Sequence, residues 1–291
     1  MTLTEQVTEA PVAPPERPAK RRKSARGKGV AGVLVVGLVF AAGLAAPLLA
    51  PHAPDAQLEG ANLVGPSAAH WFGTDALNRD VLSRVLHGIR VDLLISFVAV
   101  PLGAVLGGLV GAVSTAHRAL DVVVQRALDV LLAFPHLILA IGLTAVIGPG
   151  LRTILIAVVL VEIPVFARLI RAEVLRVREL QFVVAAEAIG ASRGRILRAH
   201  VVPNSVGPLI VQLALSMSVA VFLEGAMSFL GLGVRPPEPS LGSILNAALN
   251  YLDANPMFAV GPLLVITLLV LGFQLIAQAA STATRTGERT W

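Results

Sequence analysis

Two acidic residues stand inside stretches that are otherwise apolar, and they are the first candidates for chemistry in this sequence. Glu162 interrupts an apolar run just before Pro164, and Glu224 stands within a longer apolar run. An acid inside a membrane-spanning helix is costly unless it faces protein or water. Both glutamates are therefore candidates to line a translocation pathway or to carry a proton or an ion. The alternative for Glu162 is a structural role, either protonated or paired with Arg168.

Other kinds of catalytic and metal chemistry lack the residues that they need. The chain has no cysteine, and its six histidines are scattered without the spacing of metal ligands, so we predict no metal site. Asp75 and Asp80 could act as paired carboxylates, but no nucleophile or metal partner accompanies them. The patterns G-x-x-x-x-G-K-[ST] and H-E-x-x-H are both absent. We therefore expect no catalytic residue, no ATP hydrolysis by this chain and no cofactor bound to it.

The elements that hold the two glutamates are predicted to be membrane helices. Of the 291 residues, 55% are hydrophobic and only 14% are charged, and the mean hydropathy is +0.79. A soluble domain needs more charge to cover its surface. Apolar stretches suited to a hydrocarbon core of about 30 Å predict an all-α membrane protein with six spans, at residues 30–50, 93–116, 130–151, 153–167, 206–232 and 258–280.

The remaining segments are predicted to lie outside the membrane. Residues 1–29, rich in proline and basic side chains, and residues 281–291 are assigned to tails that flank a transmembrane domain at 30–280. Residues 51–92 form one polar segment, in which apolar residues at helical spacing after Asp80 predict an amphipathic helix on the membrane surface. Residues 234–256 are expected outside as well, partly as a re-entrant or surface helix.

Three glycines in the second predicted span repeat at a spacing of four. Gly103, Gly107 and Gly111 fall on one face of a helix and would form a groove. Such grooves let two helix backbones approach closely in a membrane. The alternative is that glycine is simply common in membrane helices. In either case the three residues concern helix packing and not chemistry.

The basic residues predict the orientation in the membrane. With the amino terminus in the cytoplasm and six alternating spans, 18 of the 23 lysines and arginines fall in cytoplasmic segments. This is the distribution that the positive-inside rule requires. Both termini are then cytoplasmic, and so is the polar segment at 173–204. The formal net charge of +5 therefore reflects topology and does not indicate nucleic-acid binding.

The segment at 173–204 is polar, yet it is not composed like a flexible loop. Its residues from Phe182 onward favour a helix that Gly190 can end, because glycine enters the left-handed conformation without steric cost. Ser192 can begin a second short helix, which Pro203 would stop. Two helices within one short loop predict a compact, rigid unit at residues 182–203, which we call the coupling segment. The alternative is a packed amphipathic hairpin without a partner.

The coupling segment resembles the "EAA" loop of permease subunits in bacterial ABC importers. The resemblance rests on Ala185 and Ala186, on Gly190, and on Pro203 thirteen residues later. In that family the loop forms the coupling helices that insert into the ATPase. The sequence departs from the pattern at Val184, which replaces the acid that names the motif. The resemblance implies that the contacts to the ATPase come from the following residues: Phe182, Ala185, Ala186, Gly190, Ser192, Ile196, His200 and Pro203.

Two further stretches resemble the dipeptide and oligopeptide branch of these permeases. One is the sequence from Phe72 to Arg84, in which Asn78 replaces the usual glycine. The other runs from Ser228 to Gly233 and follows Glu224. The resemblance is to the second, C-type membrane subunit. It implies the type I permease fold with coupling helices between the fourth and fifth spans. The end of the last span departs from the relatives, because it has Ala277, Gln278 and Ala279 instead of a polar glycine-aspartate-glycine ending.

The resemblance implies a non-catalytic subunit of an ATP-driven peptide importer in the bacterial inner membrane. Its partners would be a second, similar permease subunit, cytoplasmic ABC ATPases that carry ATP and Mg, an extracytoplasmic substrate-binding protein, a peptide and the membrane lipid, with no nucleic acid. The sequence does not decide among dipeptides, oligopeptides and metal complexes. An ion-coupled secondary transporter that uses Glu162 and Glu224 is the alternative. An intramembrane enzyme lacks any paired catalytic set.

Overall fold

The computed structural model describes residues 18–181, 183, 190, 192–196 and 202–287. The helices are α1 Pro18–Leu44, α2 Ala46–Leu49, α3 Val81–Leu94, α4 Val100–Ser114, α5 Arg118–Ala133, α6 His136–Ile147, α7 Leu151–Arg178, α8 Arg193–Ile196, α9 Val202–Phe229, α10 Leu241–Ala248 and α11 Met257–Gly287. Within these ranges the only pairing of the strand type is an isolated bridge between Thr74 and Asp80. The predicted all-helical class is confirmed.

Five unbroken helices and one bent pair of helices give the membrane topology. The spans that are long and apolar enough are α1, the continuous helix from Val81 to Ser114, α7, α9 and α11. The helices α5 and α6 are bent by 89° relative to each other and supply a sixth span if they are counted together. The bend falls at Phe134, whose extended backbone is the conformation favoured before a proline, here Pro135. With 12 residues, α6 is about 18 Å long and is too short to cross alone.

The helix from Val81 to Ser114 corrects one prediction. The sequence predicts a separate amphipathic helix on the membrane surface before the second span, but α3 continues directly into α4 through one turn of π-helix at Ile95–Ala99. The apolar side chains Val81 and Val85 are buried inside the protein, against α10 and α11. Periodicity identified the apolar face, but the tertiary structure covers that face with helices instead of lipid.

The ends of the transmembrane domain also differ from the prediction. The first helix begins at Pro18, so residues 18–29 are helical and do not belong to a flexible tail. Proline is favoured in the first turn of a helix, where its missing N–H would have no partner, and the lysines, arginines and alanine that follow are good helix formers. The last helix likewise continues to Gly287, beyond the predicted boundary at residue 280.

Two buried clusters hold the bundle together. The first joins α1, α3, α9, α10 and α11 and includes Phe40, Ile89 and Phe273. The second joins α3, α4, α6, α7 and α9 and includes Ile154 and Met227. Because α3 and α9 contribute to both clusters, these two helices link the two halves of the bundle. The helix α10, predicted as a re-entrant or surface element, packs through its buried side on the first cluster.

The three spaced glycines of α4 lie against α7. A Cβ atom at Gly103 would lie 2.6 Å from the Cβ of Glu162, and one at Gly107 would lie 2.4 Å from the carbonyl oxygen of Ile163. At Gly111 the corresponding distance, to the carbonyl oxygen of Ala167, is 2.2 Å. Real Cβ atoms do not approach other atoms so closely. The absence of a side chain at these positions is therefore what allows α4 and α7 to pack backbone to backbone.

Candidate functional site

Glu162 lies in the interior of the bundle, where α4, α7 and α9 meet. Its side chain is buried, and it accepts a hydrogen bond of 2.5 Å from the hydroxyl of Ser216 on α9. The neighbouring glycine of α4, Gly103, leaves space for it. Arg168, the partner considered in the sequence analysis, pairs instead with Asp129 of α5. Glu162 thus connects α7 to α9 by a buried polar contact and is not part of that ion pair.

Glu224 is fully buried on α9 and lies near a second acid that the sequence analysis missed. Its Oε1 atom accepts a hydrogen bond of 2.7 Å from Ser228, and its Oε2 atom has no partner among the described residues. Asp92 of α3 is also fully buried, with neither carboxylate oxygen bonded within the described part of the chain. The two carboxyl groups are close enough to interact electrostatically.

Asp92 was missed because it directly precedes an uncharged run and looks like a flanking polar residue. Only the continuity of α3 with α4 places it inside the span. One turn further along, the hydroxyl of Ser96 is likewise buried without a hydrogen-bond partner in the described ranges. Buried polar atoms are nearly always satisfied. The interior between α3 and α9 therefore holds a group of acidic and hydroxyl side chains with unused hydrogen-bonding capacity.

A cavity opens at the end of the bundle where α3 and α7 begin. Its volume is about 450 Å³, and its lining includes Asp55, His87, Arg90 and Glu238. Both signs of charge are therefore represented in its wall. The apolar part of the lining includes Val91, the residue that precedes buried Asp92. The lining residues Val91 and Leu94 flank the buried Asp92 along α3.

The coupling segment lies at the opposite end of the bundle, and its described residues are attached to α7. Val183 and Ile196 are buried together with Val174 and Val177 of α7, in a small apolar cluster separate from the two main ones. Beyond Arg178, the backbone N–H of Leu180 donates to the carbonyl oxygen of Val177, and that of Val183 donates to the carbonyl oxygen of Leu180. Because the segment packs on the last turns of α7, it is expected to move with that helix.

Two of the local signals in the coupling segment, those at Gly190 and Ser192, agree with the geometry. Gly190 has a φ of +87°, in the left-handed region that favours glycine. Ser192 precedes α8, and its hydroxyl accepts a hydrogen bond of 3.4 Å from the backbone N–H of Arg195. Pro203, predicted to stop the second short helix, lies instead in the first turn of α9, where a proline is tolerated. The other predicted coupling residues, Phe182, Ala185, Ala186 and His200, lie outside the described residues, as does Val184.

Polar contacts strengthen the same end of the bundle. Arg171 of α7 forms two hydrogen bonds of 2.6 Å with the carboxylate of Asp121 at the start of α5. Arg178, the last residue of α7, donates to the carbonyl oxygen and the hydroxyl of Thr115 at the end of α4. These contacts join the ends of α4, α5 and α7 next to the coupling segment.

The family of the chain follows from comparison with known proteins. Residues 99–285 match the family described as "Binding-protein-dependent transport system inner membrane component". The architecture is that of a multi-pass inner membrane permease, and this chain belongs to that family. Its fold is the type I permease fold. The inward-facing methionine ABC transporter MetNI matches with a TM-score of 0.56 at 20% identity, over 70% of this chain and 96% of that one.

Several curated proteins similar to this chain are named as permeases for dipeptides or for glutathione. The dipeptide transport system permease protein DppC of Alkalihalophilus pseudofirmus is 36% identical over 263 residues, which cover 90% of this chain and 86% of that protein. The glutathione transport system permease protein GsiD of Pectobacterium atrosepticum is 35% identical, covering 90% and 88%. A probable D,D-dipeptide permease, DdpC of Escherichia coli, is 36% identical, covering 84% and 83%. The resemblance to ABC importer permeases is confirmed, and nothing in these comparisons supports the ion-coupled alternative.

Proposed function

We propose that this chain is one of the two permease subunits of an ATP-driven importer for peptides. The observation that carries the proposal is the identity of 36% with a dipeptide permease along 90% of the chain. A second, similar subunit would complete the pathway, and an extracytoplasmic binding protein would deliver the peptide. ATP and Mg would bind to a separate ATPase, because the sequence contains no phosphate-binding loop.

The orientation that we propose follows from the basic residues. With both termini and the coupling segment in the cytoplasm, the lysines and arginines concentrate on the inner side. The cavity beside Arg90 and Glu238 then opens outward, and the buried acids lie between it and the inner end of the bundle. Glu162 and Glu224 would line or flank the path of the peptide. A wall that carries both signs of charge suits a zwitterionic ligand.

The mechanical step of the proposal is the movement of α7. The ATPase would hold the coupling segment, which the cluster of Val177, Val183 and Ile196 attaches to α7. The helix α7 packs along α4 through the glycine groove and contacts α9 through Glu162 and Ser216. A displacement of the coupling segment would therefore reach α9 in the interior of the bundle. This is how ATP binding would switch the permease between inward and outward access.

Site-directed cross-linking tests the contact with the ATPase. The chain has no cysteine of its own, so single cysteines can be introduced as Ser192→Cys and Arg195→Cys, both at exposed positions of the coupling segment. Glu238→Cys, exposed at the other end of the bundle, is the matched control. We expect the two coupling-segment cysteines, and not the control, to capture the ATPase in a manner that changes with ATP. Equal capture from Glu238→Cys, or none from the other two, would contradict the proposal.

Transport in reconstituted vesicles tests the energy source. The permease pair, the ATPase and the binding protein are incorporated into proteoliposomes, and the uptake of a labelled dipeptide is measured. We expect uptake that requires ATP and Mg and that persists when ionophores remove the ion gradients. Uptake that survives without ATP and stops when the gradients collapse would favour ion coupling through Glu162 and Glu224 instead.

A further inference from the structure

Two histidines and an aspartate that are distant in sequence meet beside the first turn of α3. His52 follows α2, His70 lies in the following loop, and Asp80 caps the start of α3. One candidate ligand atom from each residue lies within 4.8 Å of the other two. Sequence spacing predicted no metal site, because the ligand atoms converge only after the loop has folded.

The hydrogen bonds of Asp80 leave one of its oxygens directed at the histidines. Its Oδ2 atom accepts from the backbone N–H and the hydroxyl of Ser83, at 2.8 and 2.7 Å. Its Oδ1 atom lies 2.9 Å from Nδ1 of His70. Second-sphere bonds of this kind fix the orientation of a carboxylate that serves as a metal ligand. The loop thus holds Asp80 and His70 in a defined arrangement.

His52 supplies the independent observation. Its Nδ1 atom is buried and has no hydrogen-bond partner in the part of the chain that the structure describes. Its ring centre lies 5.6 Å from that of His70, and its backbone N–H donates to the hydroxyl of Ser83. A buried polar atom without a partner is unfavourable. Coordination to a cation at this site would satisfy it.

The local charges also favour a bound cation. Asp75 lies shortly before α3, and Asp80 caps its first turn. Asp75 is already neutralised by Arg79 and Arg84. Among the described residues, Asp80 has no arginine or lysine partner, and its single ion-pair candidate is His70. A buried carboxylate normally pairs with a cation or coordinates a metal. A divalent cation at this position would compensate the charge of Asp80.

We propose that His52, His70 and Asp80 form a binding site for Zn²⁺. Two imidazole nitrogens and one carboxylate oxygen are ligands that zinc accepts, and water would complete the coordination. Mg²⁺ and Ca²⁺ prefer oxygen ligands and are not expected to bind. The ion would connect three points of residues 52–80 and so hold this long loop against α3. Such a cross-link stabilises the folded protein, because it restricts the conformations of the unfolded chain. The inference does not depend on the proposed function or on the orientation in the membrane.

The test measures zinc binding to the full chain, purified in lipid nanodiscs without a polyhistidine tag. Competition with a fluorescent zinc chelator gives the affinity, and metal analysis after gel filtration gives the stoichiometry. We expect one Zn²⁺ per chain, a thermal unfolding midpoint that rises with zinc, and a reversal by chelator. Absence of stoichiometric binding at micromolar zinc would overturn the proposal, as would equal binding of Mg²⁺.

Single substitutions assign the site. His52→Ala keeps the backbone contact to Ser83, so the variant is expected to fold, and we expect its zinc affinity to fall by about tenfold or more. His136→Ala, at an exposed position on α6, is the matched control and should bind like the parent chain. Cobalt substitution adds a spectroscopic readout, because the visible bands of a low-symmetry Co²⁺ site should weaken in His52→Ala alone. Unchanged affinity in His52→Ala, or loss in the control, would refute the assignment.

Discussion

The packing of α4 against α7 allows a sharp test at Gly111. In Gly111→Ala the new Cβ atom would lie 2.2 Å from the carbonyl oxygen of Ala167 and 2.9 Å from its Cα atom. Both are backbone atoms and cannot rotate away. Ordinary contacts lie at about 3.5 Å, so the two helices would have to separate by about 1 Å. The substitution therefore probes the backbone contact directly.

The size of the effect follows from two opposing contributions. Overpacking of this kind costs about 1–3 kcal/mol, whereas replacing glycine by alanine inside a helix gains about 1 kcal/mol. Gly108→Ala is a matched control on the same helix, because its Cβ atom would meet only the side chain of Ile170, at 3.6 Å. Both variants share the gain in helix propensity. We therefore expect Gly111→Ala to be less stable than Gly108→Ala by about 1–3 kcal/mol.

The assay compares the unfolding of the two variants in nanodiscs or mild detergent, by thermal scans and by titration with a denaturing detergent. Transport activity measured in parallel should fall in Gly111→Ala and persist in Gly108→Ala. If the two variants have the same unfolding midpoint in temperature and in denaturing detergent, the close approach of α4 and α7 does not contribute to stability. That result would refute the explanation of the glycine spacing.

Three further outcomes are expected. Ser216→Ala should lower the free energy of unfolding by about 1–3 kcal/mol, since it leaves a buried oxygen of Glu162 without a donor. As the control, Glu162→Gln should leave the free energy of unfolding nearly unchanged in the same assay. A double-mutant cycle on Asp121 and Arg171 should give a coupling free energy of about 0.5–1 kcal/mol that decreases with salt, because the pair is partly exposed. Ile196→Ala should uncouple ATP hydrolysis from peptide uptake, measured in one preparation, while the chain stays folded.

The coupling segment shows how local and tertiary information combine. The left-handed conformation of Gly190 and the start of a helix after Ser192 were both predicted, because each depends on residues close in sequence. The burial of Val183 and Ile196 against α7 was not predicted. No periodic pattern within so short a loop specifies its partner surface. The rigidity that the proposed coupling requires comes from this second, non-local contact.

The buried acids also separate what local sequence predicts from what tertiary contacts decide. Glu162 and Glu224 were singled out because a charge within an apolar run is visible in the sequence. The bond from Ser216 to Glu162 joins residues 54 positions apart, and no rule of spacing connects them. Asp92 was missed for a related reason, since its burial depends on α3 continuing into α4 and packing against α9.

By itself the sequence determined the helical class, the approximate positions of most spans, the glycine face of α4 and the family resemblance. These features depend on hydropathy, periodicity and short motifs, all of which are local. The tertiary structure alone decided that α7 is the helix facing those glycines and that α5 and α6 bend by 89°. It also decided that His52, His70 and Asp80 meet at one point. Contacts between distant segments form only when the whole bundle packs, and that is why they could not be read from spacing along the chain.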